Sequence, residues 1–485
     1  MGRHEAPPRP ASILVAIASY GASNRRYLEQ LIETYRGFSQ QVSIVVLSNE
    51  PKDLGADVEV RVGLPSPDPW SLPFAHKALF AERQDEFDYF IYSENDTLIT
   101  QANFDAFAEV EETLPDHCIA GFLRHEIGPD GALHYSTVHG SYHWEPATVQ
   151  VIKGEVFANY SNEHSAAFIL SRRKLKHCIA SGGFLRDPHV GRYDMLCSAA
   201  TDPYTGCGLQ RLICVSRIEE FSLHHMPDKY VGRIGVPKAE IDLQLAAICR
   251  HARAGVPLAE LLRPERRVPS TARYDRCYYS APLPSAVAAM PATPARILSV
   301  GCDQGQTEGN LVERGHAVDA IPLDPVIAAS SELRGVTTLP IDADDPLGRI
   351  EPGAYGSVLM NFYLPFVADP VAALREAARV IEPGGRVVLS FWNWQSLRET
   401  VHRRRERRSF PDRADAGDFA RSGIHRTDPA TVRRWMQQAG FRLDHITYDV
   451  PSGKEWLSRL TLGAADRWLA PTATAVSAPI GTPQG

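Results

Sequence analysis

At 485 residues the chain exceeds what one ordinary hydrophobic core organises, and a prior of roughly 100–200 residues per domain gives two or three domains. Its composition, 44% apolar, 22% charged and 9% aromatic, is that of a soluble globular protein. A net charge of −7 argues against a general nucleic-acid or anionic-membrane surface, while leaving room for an anionic ligand held by a cation and a few local donors.

The eight cysteines, Cys118, Cys178, Cys197, Cys207, Cys214, Cys249, Cys277 and Cys302, are scattered. They form no Cys-x-x-Cys pair and no Cys/His zinc spacing, so reduced thiols in a cytoplasmic enzyme are expected. The opening residues, Met1 to Ala11, mix arginine and proline without the apolar core of a signal peptide. No run approaches the ~18 apolar residues of a membrane helix.

In chain order, the first expected element is a strand over Ile13 to Ala18, rich in β-branched residues. A turn at Ser19-Tyr20-Gly21 leads to a helix on which Tyr27, Leu28, Leu31, Ile32 and Tyr35 recur at helical spacing. A second buried strand, Val42 to Leu47, ends in Ser48-Asn49-Glu50. Strand, helix, strand predicts a parallel βαβ unit with ligands at the carboxyl ends of its strands. The aromatic run Phe87 to Ser93 reads as a further strand closing in Glu94-Asn95-Asp96. Residues two apart in extended chain share a face, so Glu94 and Asp96 offer hard oxygens to Mn2+ or Mg2+. A diphosphate would complete that coordination, and the cation would neutralise a leaving nucleoside diphosphate.

The same strand-turn-helix logic restarts at Arg296 to Val300. The Pro-rich stretch between the halves reads as a linker, and the Ala-, Pro- and Thr-rich segment Pro471 to Gly485 as disordered. The expected organisation is a domain over 1–255, a linker or docking segment over 256–294, a second domain over 295–450, and a helix with a disordered tail over 451–485.

The acidic triplet and its strand resemble the Asp-x-Asp motif of GT-A type, family 2-like glycosyltransferases, here in Glu-x-Asp form. The resemblance implies that Ser19, Tyr20, Ser48, Asn49 and Glu50 meet the nucleotide, and that Lys77 lies near the diphosphate. It also implies a metal held by Asp96 and Glu94 with His225 or His224, from the late pair His224-His225. Asp194, with Asp202 as an alternative, is the expected base for an acceptor hydroxyl.

The segment Ile297-Leu298-Ser299-Val300-Gly301-Cys302-Asp303-Gln304-Gly305 resembles motif I of class I S-adenosylmethionine-dependent methyltransferases. Further strands are expected at His316–Asp324, Ile341–Asp345, Ser357–Phe362 and Val387–Phe391. The resemblance implies cofactor contacts from Gly301, Cys302, Asp303, Gly305, Asp324, Asp342 and Asn361. Three positions depart from the pattern. Asp303 replaces the usual middle glycine, Ser299 a commonly acidic residue, and Pro322 the ribose-binding carboxylate, for which Asp324 is the expected substitute.

The chain is thus expected to be α/β with two Rossmann-like domains, an N-terminal GT-A glycosyltransferase fold and a C-terminal class I methyltransferase fold. The expected function is glycan assembly: sugar transfer from a nucleotide-sugar donor to a saccharide or lipid-linked glycan acceptor, plus methylation of a sugar hydroxyl. A second reading keeps the glycosyltransferase and makes the other domain a non-catalytic interaction module. The basic run His402 to Arg408 fits a solvated helical face, and also offers a place for an acidic glycan. The expected location is the cytoplasm, with peripheral association at the inner face of the membrane when the acceptor is lipid-linked; no nucleic-acid partner is expected.

Overall fold

The computed structural model describes residues 11–135, 138, 143–231, 235–262, 276, 278–409, 411, 413–415 and 417–479. The chain divides into two compact units, Met1–Gly140 with Ala147–Ala254, and Ser141–Pro146 with Gly255–Gly485.

The first unit opens with β1 (Ser12–Ser19), α1 (Arg25–Arg36), β2 (Gln41–Ser48) and β3 (Val58–Val62). Then follow α2 (Ala75–Glu82), β4 (Tyr89–Glu94), the short β5 (Thr97–Leu98) and α3 (Gln101–Glu111). Next come β6 (Cys118–Ala120), β7 (Leu123–Ile127), β8 (Leu133–Tyr135), β9 (Trp144–Ile152), β10 (Glu155–Tyr160) and β11 (Ala167–Ser171). The remaining elements are α4 (Arg172–Ala180), α5 (Met195–Thr205), β12 (Gln210–Cys214), β13 (Ser222–His225), β14 (Val236–Pro237) and α6 (Lys238–Ala254).

The principal sheet runs β11-β4-β1-β2-β3, parallel throughout except for β11. Every residue of β1 is buried, as a strand covered on both faces requires. Each buried Ile, Leu or Val there contributes about 1.5–3 kcal/mol, which also fixes the register. α1 buries Leu28, Leu31, Ile32 and Tyr35, the stripe read from the sequence. Two smaller sheets, β6-β12-β10-β9 and β14-β8-β7-β13-β5, carry the later segments.

The second unit contains α7 (Pro284–Ala289), β15 (Arg296–Cys302), α8 (Gln306–Glu313), β16 (Ala317–Pro322), α9 (Pro325–Glu332) and β17 (Thr337–Thr338). It continues with β18 (Tyr355–Asn361), α10 (Pro370–Val380), β19 (Ile381–Trp392), α11 (Leu397–Ser409) and α12 (Phe419–Ser422). Last come α13 (Pro429–Gln438), β20 (Phe441–Asp449), α14 (Glu455–Leu460), α15 (Asp466–Leu469) and β21 (Thr472–Pro479). Its seven strands run β17-β16-β15-β18-β19-β21-β20, and β21 lies antiparallel to both of its neighbours.

This arrangement corrects three sequence expectations. The segment beginning at Pro471 is not a disordered tail up to Pro479: Thr472–Pro479 forms the strand between β19 and β20, with Ala473 to Ser477 buried. Its small residues let α7 pack closely, where Ser285 Oγ and Thr474 Oγ1 hydrogen-bond at 2.7 Å. The expected linker belongs to the unit's core: Val287 and Met290 pack with Ile297 and Leu311, and Leu261 with Val300 and Ile321. The third strand is Thr337–Thr338, and Ile341–Asp345 is irregular chain in which Asp342 Oδ1 accepts from the backbone N–H groups of Asp344 and Asp345 at 3.1 and 3.3 Å. An Asx turn of this kind spends the carboxylate on its own loop.

Candidate functional site

In the first unit the polar side chains gather where β1, β2 and β4 end together. Parallel register sets Ala18 beside Glu94 and Ser19 beside Ser48. Asn95 Nδ2 donates to Ser19 Oγ at 2.9 Å, and its backbone N–H to Ala18 O at 3.1 Å. Asn24, which precedes α1, donates from Nδ2 to Asn95 Oδ1 at 3.1 Å and to Asp96 Oδ2 at 3.0 Å. The acidic triplet is therefore tied to the turn after β1.

β13 delivers a histidine to the same place. His225 is paired in register with Thr97 of β5, and Met226 N–H donates to Asp96 O at 2.9 Å. His225 Nε2 stands 3.6 Å from Asp96 Oδ2, and its Nδ1 lies 2.5 Å from Glu126 Oε1 on β7. Glu126 is held in turn, its Oε2 accepting from the backbone N–H groups of Tyr230 and Val231 at 2.7 and 2.9 Å. A carboxylate on Nδ1 with Nε2 turned towards Asp96 is the arrangement that supports metal-bound imidazoles. Glu126 escaped the sequence reading because nothing local marks it as the partner of a residue on another strand.

Two ligands at about 2.1 Å from one ion stand roughly 3–3.6 Å apart, so the Asp96–His225 spacing admits a divalent cation. Asp96 Oδ1 is buried with no hydrogen-bond partner among the described residues, an acceptor that folding leaves unsatisfied. Burial and the adjacent Asp96 charge, with Asp194 adding to them, push Glu94 up to about 8 against Arg124 and Lys229. Burial acts to raise Asp96 too, but His225, Lys229 and Arg124 hold it below the ordinary carboxylate value.

Several expected contacts differ. His224 takes the other side of β13, stacking on His125 with ring centroids 5.4 Å apart and bonding Asp228 at 3.0 Å. Among the described residues no group of three or more His, Cys, Asp or Glu side chains is arranged to hold a metal ion. The expected four-residue set is therefore not assembled: Asp96 and His225 face each other, and Glu94 lies close enough to feel the Asp96 charge. Lys77 is buried on α2 and its ammonium pairs with Asp202 of α5, which removes both from a diphosphate or an acceptor. Asp194 caps α5, its Oδ1 accepting from Cys197 N–H at 2.9 Å, and remains near enough to raise Glu94. Asn49 Oδ1 accepts from Gly21 N–H at 2.7 Å and Ser48 Oγ from Glu50 N–H at 3.2 Å, so both shape the turn. Tyr20 and Glu50 are exposed.

In the second unit the strands run outward from β15 on both sides, β16 and β17 one way and β18 and β19 the other, a switch point that opens a crevice at the carboxyl ends. Gly301 has φ +81°, and a Cβ there would stand 3.2 Å from Tyr363 Cβ. Gly305, with φ +83°, opens α8, and a Cβ would meet Ser331 Cβ at 2.8 Å. Both positions therefore demand glycine. Between them buried Asp303 accepts from Gly305 N–H at 3.1 Å and from Ser280 N–H at 3.2 Å, pinning the loop where a glycine was expected. Arg276 Nη2 donates to Gly301 O at 2.5 Å, and its charge opposes the burial that raises Asp303. Ser299 donates to Glu308 Oε1 at 2.7 Å, so the acid missing from the strand arrives from α8. Burial, with Asp303 beside it, pushes Glu308 up to about 7.

Asn361 ends β18 buried, with neither its Oδ1 nor its Nδ2 partnered among the described residues. An unsatisfied buried amide costs about 1–3 kcal/mol, which a polar ligand would recover. Phe362 follows at φ +51°, a costly conformation for an aromatic residue. Cys302 is buried, its Sγ 3.4 Å from Asp303 O. Asp324 does not stand in for the ribose carboxylate: it caps α9, Oδ1 accepting from Val326 and Ile327 N–H, both at 2.8 Å. Another acid reaches this corner. Leu261 N–H donates to Leu323 O at 2.8 Å, bringing Glu260 to the end of β16, where burial, Asp324 and Glu145 push it up to about 7.

Residues 272–446 match the family model described as a methyltransferase domain. Together with the strand order, this makes the second unit a class I S-adenosylmethionine-dependent methyltransferase domain. Among curated proteins, the chain is 32% identical over 104 residues to a ubiquinone biosynthesis O-methyltransferase of Xanthomonas oryzae, covering 20% of this chain and 44% of that one. It is 26% identical over 166 residues to the protein of the same name from Xanthomonas euvesicatoria, covering 32% and 65%. The chain thus spans less than two thirds of the length of these relatives. A solved S-adenosylmethionine-dependent methyltransferase from Mesorhizobium loti aligns with 16% identity and a TM-score of 0.30, over 40% of this chain and 95% of that one.

Proposed function

We propose that the chain is a two-function enzyme of glycan assembly. The second unit transfers a methyl group from S-adenosylmethionine to a hydroxyl, and the first transfers a sugar from a nucleotide-sugar donor to a saccharide or lipid-linked glycan. For methyl transfer, the supporting observation is the unsatisfied amide of Asn361 beside two glycines that permit close backbone approach. The Xanthomonas relatives are O-methyltransferases, which favours a hydroxyl acceptor. S-adenosylmethionine, when bound, supplies an electrophilic methyl group; the chain's residues bind and orient it. Glu260 takes the ribose-side role that Pro322 cannot. Ribose hydroxyls donate to a carboxylate but not to a neutral acid's carbonyl and hydroxyl equally well, so binding weakens as Glu260 protonates. S-adenosylhomocysteine affinity, measured by calorimetry, should therefore fall as pH drops through about 7, and Glu260→Gln should flatten that dependence. No binding by the wild type at any pH would favour the non-catalytic module instead.

For sugar transfer, the observation that carries the reading is Asp96 facing His225 at the carboxyl ends of β1 and β4, with one Asp96 oxygen left unsatisfied. A divalent cation supplies neutralisation of the diphosphate leaving group. Asp96 and His225 would hold it, Glu126 orients His225, and the turn from Ser19 to Gly21 would border the nucleotide. Asp194 is the group to take the acceptor's proton, its charge kept near the site by the N-terminus of α5. A thermal-shift screen of nucleoside diphosphates with Mn2+ tests this reading; stabilisation should need both components. Glu126→Gln should keep the fold yet weaken Mn2+ binding about 10–100-fold, read by Mn2+ electron paramagnetic resonance.

A further inference from the structure

The chain's acidic total hides a basic, apolar patch on the second unit. α11 exposes Leu397 and Val401, and further along the same face Arg404, Arg405 and Arg408. None of these three arginines has an ion-pair partner among the described residues, whereas Arg407 is paired with Asp415. α11 packs beside α15, and neither α14 nor α15 buries a single residue. Around them stand Trp456, 60% exposed, Leu460, 74%, Leu462, 95%, and Trp468, over which the Arg467 guanidinium lies 3.8 Å from the ring centroid. Leu462 is also held at φ +48°, a conformation that leucine adopts only at a cost.

Of the sixteen large apolar side chains exposed among the described residues, six fall between Leu397 and Trp468. Scattered apolar residues need no explanation, but a cluster does. The mixture also discriminates between occupants. Arginines alone would suit any polyanion, and leucines alone a second protein surface. Two exposed tryptophans and two exposed leucines in the segment that packs beside α11, together with the unpaired arginines of α11, suit the interface of a bilayer, where indole rings sit at headgroup depth, leucine enters the acyl boundary and arginine meets anionic headgroups.

We propose that α11 together with residues 454–469 docks the chain on an anionic membrane surface. The inference stands apart from either catalytic assignment, since it uses none of their residues.

Co-sedimentation of the full chain with vesicles tests it. The protein should pellet with phosphatidylglycerol–phosphatidylcholine vesicles and remain in solution with phosphatidylcholine alone, and added salt should release it. Arg404→Glu/Arg405→Glu/Arg408→Glu should weaken binding on the order of a hundredfold or more, since each basic residue near such a surface contributes about 1 kcal/mol, roughly fivefold. Leu460→Ser/Leu462→Ser should reduce binding and abolish quenching of tryptophan fluorescence by brominated lipid. Melting temperature and S-adenosylhomocysteine affinity should be unchanged in both variants, because the substituted side chains are exposed. Failure of the wild type to bind anionic vesicles at low ionic strength would overturn the proposal, as would binding untouched by the arginine triple variant. So would self-association in sedimentation velocity that the leucine pair abolishes, which would assign the patch to a second copy of the chain.

Discussion

Asp96→Ala should abolish the Mn2+-dependent stabilisation by a nucleoside diphosphate. A ligand at a hundred times its Kd stabilises the wild type by about 2.7 kcal/mol, and the variant should show none of this. Turnover of the matching nucleotide sugar should fall roughly a thousandfold, since a cation supplies several kcal/mol to a leaving diphosphate and each 1.36 kcal/mol is a factor of ten. The unliganded melting temperature should hardly change. The substitution removes a buried oxygen that has no partner, so the lost hydrogen bond from Asn24 is offset by relief of that burial. Asn24→Ala makes the contrast: it removes the same hydrogen bond but leaves the oxygens, and should cost far less activity. A Mn2+-dependent shift that survives in Asp96→Ala would refute the site.

Ending the chain after Ala470 should destroy the second unit. The deletion removes the strand that joins β19 to β20, leaving two open edges and uncovering Val387, Leu389 and Phe391. Differential scanning calorimetry should show the loss of a cooperative transition, and S-adenosylhomocysteine binding should vanish with it. A chain stopped at 450, the boundary expected from the sequence, should behave the same way. Ala475→Asp is the subtler version: a carboxylate at a fully buried position without a partner costs several kcal/mol. A truncated chain that still bound the ligand would mean that β19 and β20 can stand apart.

The hydrophobic runs made much of this architecture legible. β1, β2, β4, β15, β16 and β18 are apolar, β-branched stretches bounded by turn residues, and each lies where the sequence placed it to within a residue or two. β21 was hidden because Thr-Ala-Thr-Ala-Val-Ser-Ala-Pro has the composition of a disordered tail, and the need for small side chains against α7 is a tertiary demand. Asp324 followed by Pro325 is a helix-start signature that local chemistry alone could have revealed. Glu126 and Glu260 had no such signal. Each acts on a residue brought near by chain folding, His225 in one case and the end of β16 in the other.

The buried Lys77–Asp202 pair has a bearing on the proposed sugar transfer, which it never touches. Asp202 lies on the same helix as the Asp194 cap, eight residues and about 12 Å further along the axis. A rigid rod gripped at one end transmits its tilt to the other, so the clamp on α2 sets where the Asp194 carboxylate points. With Asp194 as the proposed base of sugar transfer, loosening that clamp should misdirect proton removal from a distance, and the damage should register in kcat while affinity for the nucleotide stays intact.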